Sequence, residues 1–215
     1  MSVKLGLYDF FSYLIPGGIV TAWFFFVLNK HFGLAMDWKN FSITELLLLG
    51  ILSYLVGYAA DFITSKTWYK LFRNKNLFES TMSDFNNRHP TIEVEFNEMD
   101  WYISYSFVKK HNLEMAQDID KFNVTNKMLR TSSFGFLLFA ILFLVEFFLN
   151  RYASIDAILS VSCFIIAIIL VHQAVKFSTW FYQAVFDSLI AIVAKPEQMP
   201  ITFKPKKKKP KINRG

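Results

Sequence analysis

Four stretches of the chain lose nearly all their polar positions: residues 10–28, 44–62, 134–149 and 157–173. A helix rises about 1.5 Å per residue, so about 20 residues cross the hydrocarbon core of a bilayer. Each stretch therefore predicts a membrane-spanning helix. The third, FGFLLFAILFLVEFFL, is short by that measure and borrows length from Ser132-Ser133 and Asn150-Arg151-Tyr152. The first has one basic residue ahead of it and no small-x-small cleavage site behind it, which reads as a retained span rather than a signal peptide.

A fifth apolar stretch, 177–194, has a different pattern. Lys176, Thr179, Gln183 and Asp187 recur at helical spacing on one face, with Phe177, Phe181, Val185, Leu189 and Ile192 on the other. That is an amphipathic helix for an interface rather than a fifth span. Between the second and third spans, FITSKTWYKLF continues the second helix, and the chain turns around Arg88-His89-Pro90. TIEVEF then alternates like a short strand. Trp101, Tyr105 and Val108 share one helical face, and Met115, Ile119, Phe122 and Leu129 another. Those stripes predict a helical core packed on itself and on 177–194, with cofactor stacking the lesser reading.

The organisation is thus two spans in 1–62, a helical cytoplasmic insert in 63–133, two spans in 134–173, an amphipathic helix in 174–196 and a basic tail in 197–215. The fold class is all-α: a polytopic membrane protein with four transmembrane helices and a small helical cytoplasmic domain.

Composition agrees with lipid. Hydrophobic residues make up 53% of the 215, and 25 are Phe, in runs such as Phe24-Phe25-Phe26. The formal charge of +6 misleads, because Lys204, Lys206, Lys207, Lys208, Lys209, Lys211 and Arg214 carry seven positive charges and the rest of the chain sums to −1. Charge does set the threading. Lys66, Lys70, Arg73 and Lys75 follow the second span and Lys127 and Arg130 precede the third, whereas 30–43 holds two lysines and 150–156 one arginine. By the positive-inside tendency both termini and the 63–133 segment are cytoplasmic. A single cysteine, Cys163, excludes an intrachain disulfide, and the four histidines lack metal-ligand spacing, so no metal and no cofactor is expected.

A few residues are out of place. Pro16-Gly17-Gly18 sits inside the first span, where a proline removes a donor and predicts a kink or break. The two glycines allow another helix to come close. Gly50, Ser53, Gly57 and Asp61 recur at spacings of three and four on the second span, a matching small-residue face. The pair reads as a contact between spans one and two, or as a moving hinge or pore-lining break. Asp9 suits an N-cap at the cytoplasmic boundary, and Asp61 is expected to stay wet there. Glu146 lies inside the third span about one turn, roughly 6 Å, from Asn150. It either snorkels to the outer surface or repeats as a carboxylate ring in an oligomer. Ala157, Ser160, Cys163 and Ala167 on the fourth span suggest a subunit contact, hence a homo-oligomer.

The tail, KPKKKKPKINRG, is broken by proline and poor in apolar residues, so disorder is expected. Its basic cluster suits anionic lipids of the bilayer, with non-specific nucleic acid or protein contact as the second reading. The chain has no Walker A, G-x-S-x-G, H-E-x-x-H or dinucleotide fingerprint, and no Arg followed four to six residues on by His, so no enzyme is expected.

LYDFFSYLIPGGI, the Gly-bearing second span, the insert containing YISYSFVKKHN and the paired third and fourth spans resemble small multi-spanning proteins of bacterial antiviral loci. These are the membrane accessory protein of type VI-B CRISPR systems and the membrane subunit of the Kiwa system. The resemblance implies a bacterial inner-membrane protein that modulates a cytosolic nuclease or responds to infection. The expected function is a non-enzymatic accessory protein whose insert and basic tail meet a cytosolic partner. The alternative is an oligomeric ion channel or membrane-perturbing effector.

Overall fold

Ser42 opens the second long helix by a reciprocal cap: its hydroxyl accepts from Glu45 N at 3.3 Å, while its own N–H donates to Glu45 Oε2 at 2.7 Å. Two of the donors that a helix start leaves unsatisfied are met this way. The first long helix stops at Gly33, whose positive φ of 65° turns the chain away as its N–H donates to Asn29 O. In the computed structural model, residues 3–33, 42–72, 77–88, 92–94, 100–150, 154–192 and 203–205 are described. They form α1 (Val3–Phe32), α2 (Ile43–Lys66), α3 (Trp68–Phe72), α4 (Leu77–Arg88), β1 (Ile92–Val94), α5 (Asp100–His111), α6 (Leu113–Leu149), α7 (Ser154–Ile192) and β2 (Phe203–Pro205).

Among the described residues four helices are long and apolar enough to cross a membrane: residues 10–32 of α1, α2 with its continuation to Phe72, α6 and α7. Their burial is the reverse of a water-soluble core. On α2 the buried positions are Ser53, Gly57, Ala60 and Thr64, while Leu46, Leu47, Ile51, Leu55 and Phe62 are exposed. On α7 Ser160 and Ala167 are buried and Ile158, Val161, Ile165 and Ile169 exposed. Small residues inside and large ones outside is what lipid as solvent selects, since apolar side chains gain nothing by leaving lipid. The chain is an all-α polytopic membrane protein with additional helical segments.

The structure divides into two compact units, residues 1–73 with 121–178 and residues 74–120 with 179–215. In the first unit α1 and α2 run antiparallel, and α6 and α7 likewise, with Ser160 Oγ donating to Ala140 O at 2.8 Å and Asn126 Nδ2 donating to Ala174 O at 2.6 Å. Side by side, α1 and α6 point the same way. Lys127 lies over the Tyr13 ring, Gly135 meets Ile19, Trp23 Nε1 donates to Leu138 O at 3.0 Å, and Phe26 packs on Phe143. Parallel first and third passes are what four alternating crossings require.

The second unit has a core of its own: Leu77, Phe85, Val108, Ile119, Val185, Phe186 and Leu189. Phe85 meets Phe186 edge-on at 5.8 Å, and Trp101 and Tyr105 of α5 both contact Phe181. The aromatic face read from the sequence thus packs on the apolar stripe of 177–192. Asn112 joins two helices: its N–H closes α5 on Val108 O, and its side chain accepts from Met115 N to cap α6.

Several boundaries differ from the sequence reading. No separate helix begins at 174. Residues 154–192 are one helix without a reversal, so no return crossing exists within them. At about 1.5 Å per residue its 39 residues span roughly 58 Å, far more than a hydrocarbon core of about 30 Å. The third span likewise begins as a helix at Leu113, not near 134. Nor does Pro16 break α1, which passes through it uninterrupted. The missing N–H costs one hydrogen bond, and the flanking turns carry the helix on. The tail departs from disorder at Phe203–Pro205, which pairs antiparallel with Ile92–Val94 and sets Glu93 opposite Lys204 in register.

Candidate functional site

The small-residue crossing brings main chain against main chain. A Cβ on Gly17 would stand 1.7 Å from Ser53 O, and one on Gly57 2.0 Å from Tyr13 O. Nothing but hydrogen fits there. Gly18 and Gly50, read as part of the same device, face open space. Pro16 is fully buried beside the crossing. Aromatic rings flank it, with Tyr13 edge-on to both Tyr54 and Tyr58 and Phe10 stacked on Tyr54. The crossing fixes α1 against α2.

Glu146 neither reaches a surface nor stands open to a pore within the subunit. It is 2% exposed, with Lys30 Nζ 2.7 Å from Oε2 and His31 Nε2 3.0 Å from Oε1. The His31 contact lies outside hydrogen-bond geometry, so Oε1 is buried without a hydrogen bond. Asn150 Nδ2 donates to Glu146 Oε2 and to Asp156 Oδ2, each at 3.1 Å, bridging the ends of α6 and α7. The expected snorkelling is replaced by an internal clamp. Its partners were missed in the sequence reading, which counted Lys30 only as loop charge. One signal was present: α1 and α6 both end on the same side, so Lys30, His31 and Glu146 share a depth.

At the other end, Asp61 is likewise paired rather than wet. Arg130 Nη2 and Nε both donate to Asp61 Oδ1, the latter at 3.2 Å, and Thr131 Oγ1 donates to the same oxygen at 3.1 Å. The Arg130 guanidinium also lies 5.2 Å from the Tyr69 ring centroid, and Tyr69 Oη accepts from Asn126. Tyr69, on α3, packs in turn with Val171 and Ala174, so α2, α3, α6 and α7 meet here. Arg suits this place, because its planar fork can pair and stack at once.

Asp9 falls inside α1, which begins at Val3, so it is not the cap; its side chain lies outside the described residues. Lys206, Lys207, Lys208, Lys209, Lys211 and Arg214 also lie outside the described residues. Of the expected subunit-contact face on the fourth span, Ser160 is spent within the chain on Ala140 O, and Ala167 is fully buried. Among the described residues no group of three or more His, Cys, Asp or Glu side chains is arranged to hold a metal ion.

The fold and its charges define a class, an all-helical protein embedded in a membrane. Beyond that class, comparison with protein-family models, with curated proteins and with solved structures finds no match.

Proposed function

We propose that the protein is a non-enzymatic accessory scaffold of a bacterial inner membrane, holding a helical unit for a cytosolic partner. One observation carries the reading. Two of the described carboxylates near the ends of the spans, Glu146 and Asp61, are each closed by cations of the same chain. Carboxylates that line an ion path must stay free to exchange cations, so internal pairing favours scaffold over channel. A separate core around Phe85 and Phe186, with Tyr102 64% and Ile103 51% exposed on α5, suits a unit that offers an apolar contact to another protein. The resemblance of DFFSYLIPGG and its context to proteins of antiviral loci supports a partner of the nuclease type and a role in defence. The positive-inside tendency supports cytoplasmic termini.

The test pairs two measurements on one preparation. Crosslinking in intact cells is expected to join α5 to one soluble protein, and Tyr102→Asp with Ile103→Asp to abolish that product. The same purified chain in planar bilayers is expected to pass no current. A cation-selective conductance that changes in Glu146→Gln overturns the scaffold reading in favour of a channel.

A further inference from the structure

Where α2 ends, a cleft of about 520 Å³ is lined by Ser65, Lys66, Tyr69, Lys70 and Arg130. All five belong to the first unit. Arg130 is the only one of its three cations matched by a carboxylate, Asp61. Lys66 lies over the Phe62 ring, 4.3 Å from its centroid, and among the described residues neither Lys66 nor Lys70 has an acidic partner. Among the described residues, three cations against one carboxylate leave the cleft with an excess of two positive charges.

One neutral donor adds to these. The Tyr69 hydroxyl accepts from Asn126, which leaves its own proton to give. Ser65 brings a second hydroxyl whose hydrogen is spent on Phe62 O, so its oxygen can only accept. Charge-assisted donors from Lys and Arg with a phenol beside them are the chemistry that recognises phosphate oxygens.

Depth chooses among phosphates. Lys66 follows the apolar run that ends at residue 62 by four positions, and Arg130 precedes the run that begins at 134 by four. The cleft is therefore level with the headgroups. Tyr58, Phe62 and Ile63 stand exposed on α2 just below it, an apolar wall for an acyl chain. Basic pockets between membrane helices at this level are suited to anionic headgroups. We infer that this cleft binds the phosphate of an anionic phospholipid, with Lys66 and Lys70 supplying the unspent charge and Arg130 and Tyr69 the fixed donors. A lipid such as cardiolipin, with two phosphates, matches the excess charge.

The basic tail would bind the same lipids, so the test uses the full chain with Lys206, Lys207, Lys208 and Lys209 each replaced by Gln. The detergent-purified protein is titrated with cardiolipin, with phosphatidylcholine and with inorganic phosphate, and occupancy is read by native mass spectrometry. Cardiolipin is expected to stay bound at one per chain and phosphatidylcholine to be lost. Lys66→Gln with Lys70→Gln is expected to weaken cardiolipin about 30-fold. Both lysines are exposed, so folding should survive; Lys70→Glu alone serves as a second variant, and the rise in melting temperature on adding cardiolipin as a second readout. Cardiolipin binding unchanged in both variants overturns the site. Displacement of the lipid by millimolar inorganic phosphate would reassign it to a water-borne phosphate.

Discussion

Gly17 of α1 and Gly57 of α2 lie with bare main chain against main chain: a Cβ on Gly57 would stand 3.1 Å from Gly17 N, and one on Gly17 2.7 Å from Gly57 N. In lipid, where no hydrophobic drive joins helices, this close packing is itself the attraction. Gly17→Ala and Gly57→Ala therefore push against backbone, which cannot rotate aside. Each is expected to destabilise the protein at the upper end of the about 1–3 kcal/mol typical of overpacking. Gly18→Ala and Gly50→Ala meet nothing and should be silent or slightly stabilising. Melting in detergent checks the contrast, and equal losses at all four positions would refute the crossing.

Lys30 and Glu146 should be coupled. In a double-mutant cycle with Lys30→Met and Glu146→Gln, each change leaves the other group without its partner. The expected coupling is about 0.5–3 kcal/mol, moderated because Lys30 is 37% exposed and partly hydrated. A coupling within error of zero in detergent melting would mean that Glu146 is held by other groups.

Arg130→Lys is expected to fail where a charge-only role would let it pass. Lysine keeps the charge but cannot donate twice to Asp61 and stack on Tyr69. The replacement should lower the melting temperature nearly as far as Arg130→Gln. Full stability of the lysine variant would show that charge alone suffices.

In the second unit, packing should outweigh charge. Phe85 is fully buried on Phe186, so Phe85→Ala should cost about 3–5 kcal/mol. Arg88 pairs with Asp187 at 2.6 Å but both are largely exposed, so Arg88→Ala should cost less than about 1 kcal/mol. Proteolysis of the membrane-bound protein reads both, with early cleavage expected only for Phe85→Ala.

Reporter fusions test the threading. Fusions after residues 100 and 215 should be active only as cytoplasmic reporters, and those after residues 35 and 153 only as external ones. Any exchange of sides overturns the orientation.

Apolar runs of membrane length fixed the number of crossings, because lipid forces every backbone group to be satisfied within its own helix. Periodicity also marked the apolar stripe that Phe181, Val185 and Leu189 bury. Helix boundaries were less legible. The start of α6 at Leu113 and the unbroken run of α7 depend on helix-compatible polar residues, which look alike inside a long helix and in a short separate one. Depth, too, could be read from the sequence: Lys30, His31 and Glu146 lie near one end of the apolar runs, and Asp61 and Arg130 just beyond or near the other. Adjacency could not. Which face of α1 meets α6 depends on side-chain fit at Gly135, Trp23 and Phe143, and only that packing brings Lys30 within 2.7 Å of Glu146. Two opposite charges at one level attract weakly through water and strongly only once packing has excluded it. The sequence thus determined the spans and the level of every charge, while the tertiary structure decided which charges pair and which, at Lys66 and Lys70, are left over.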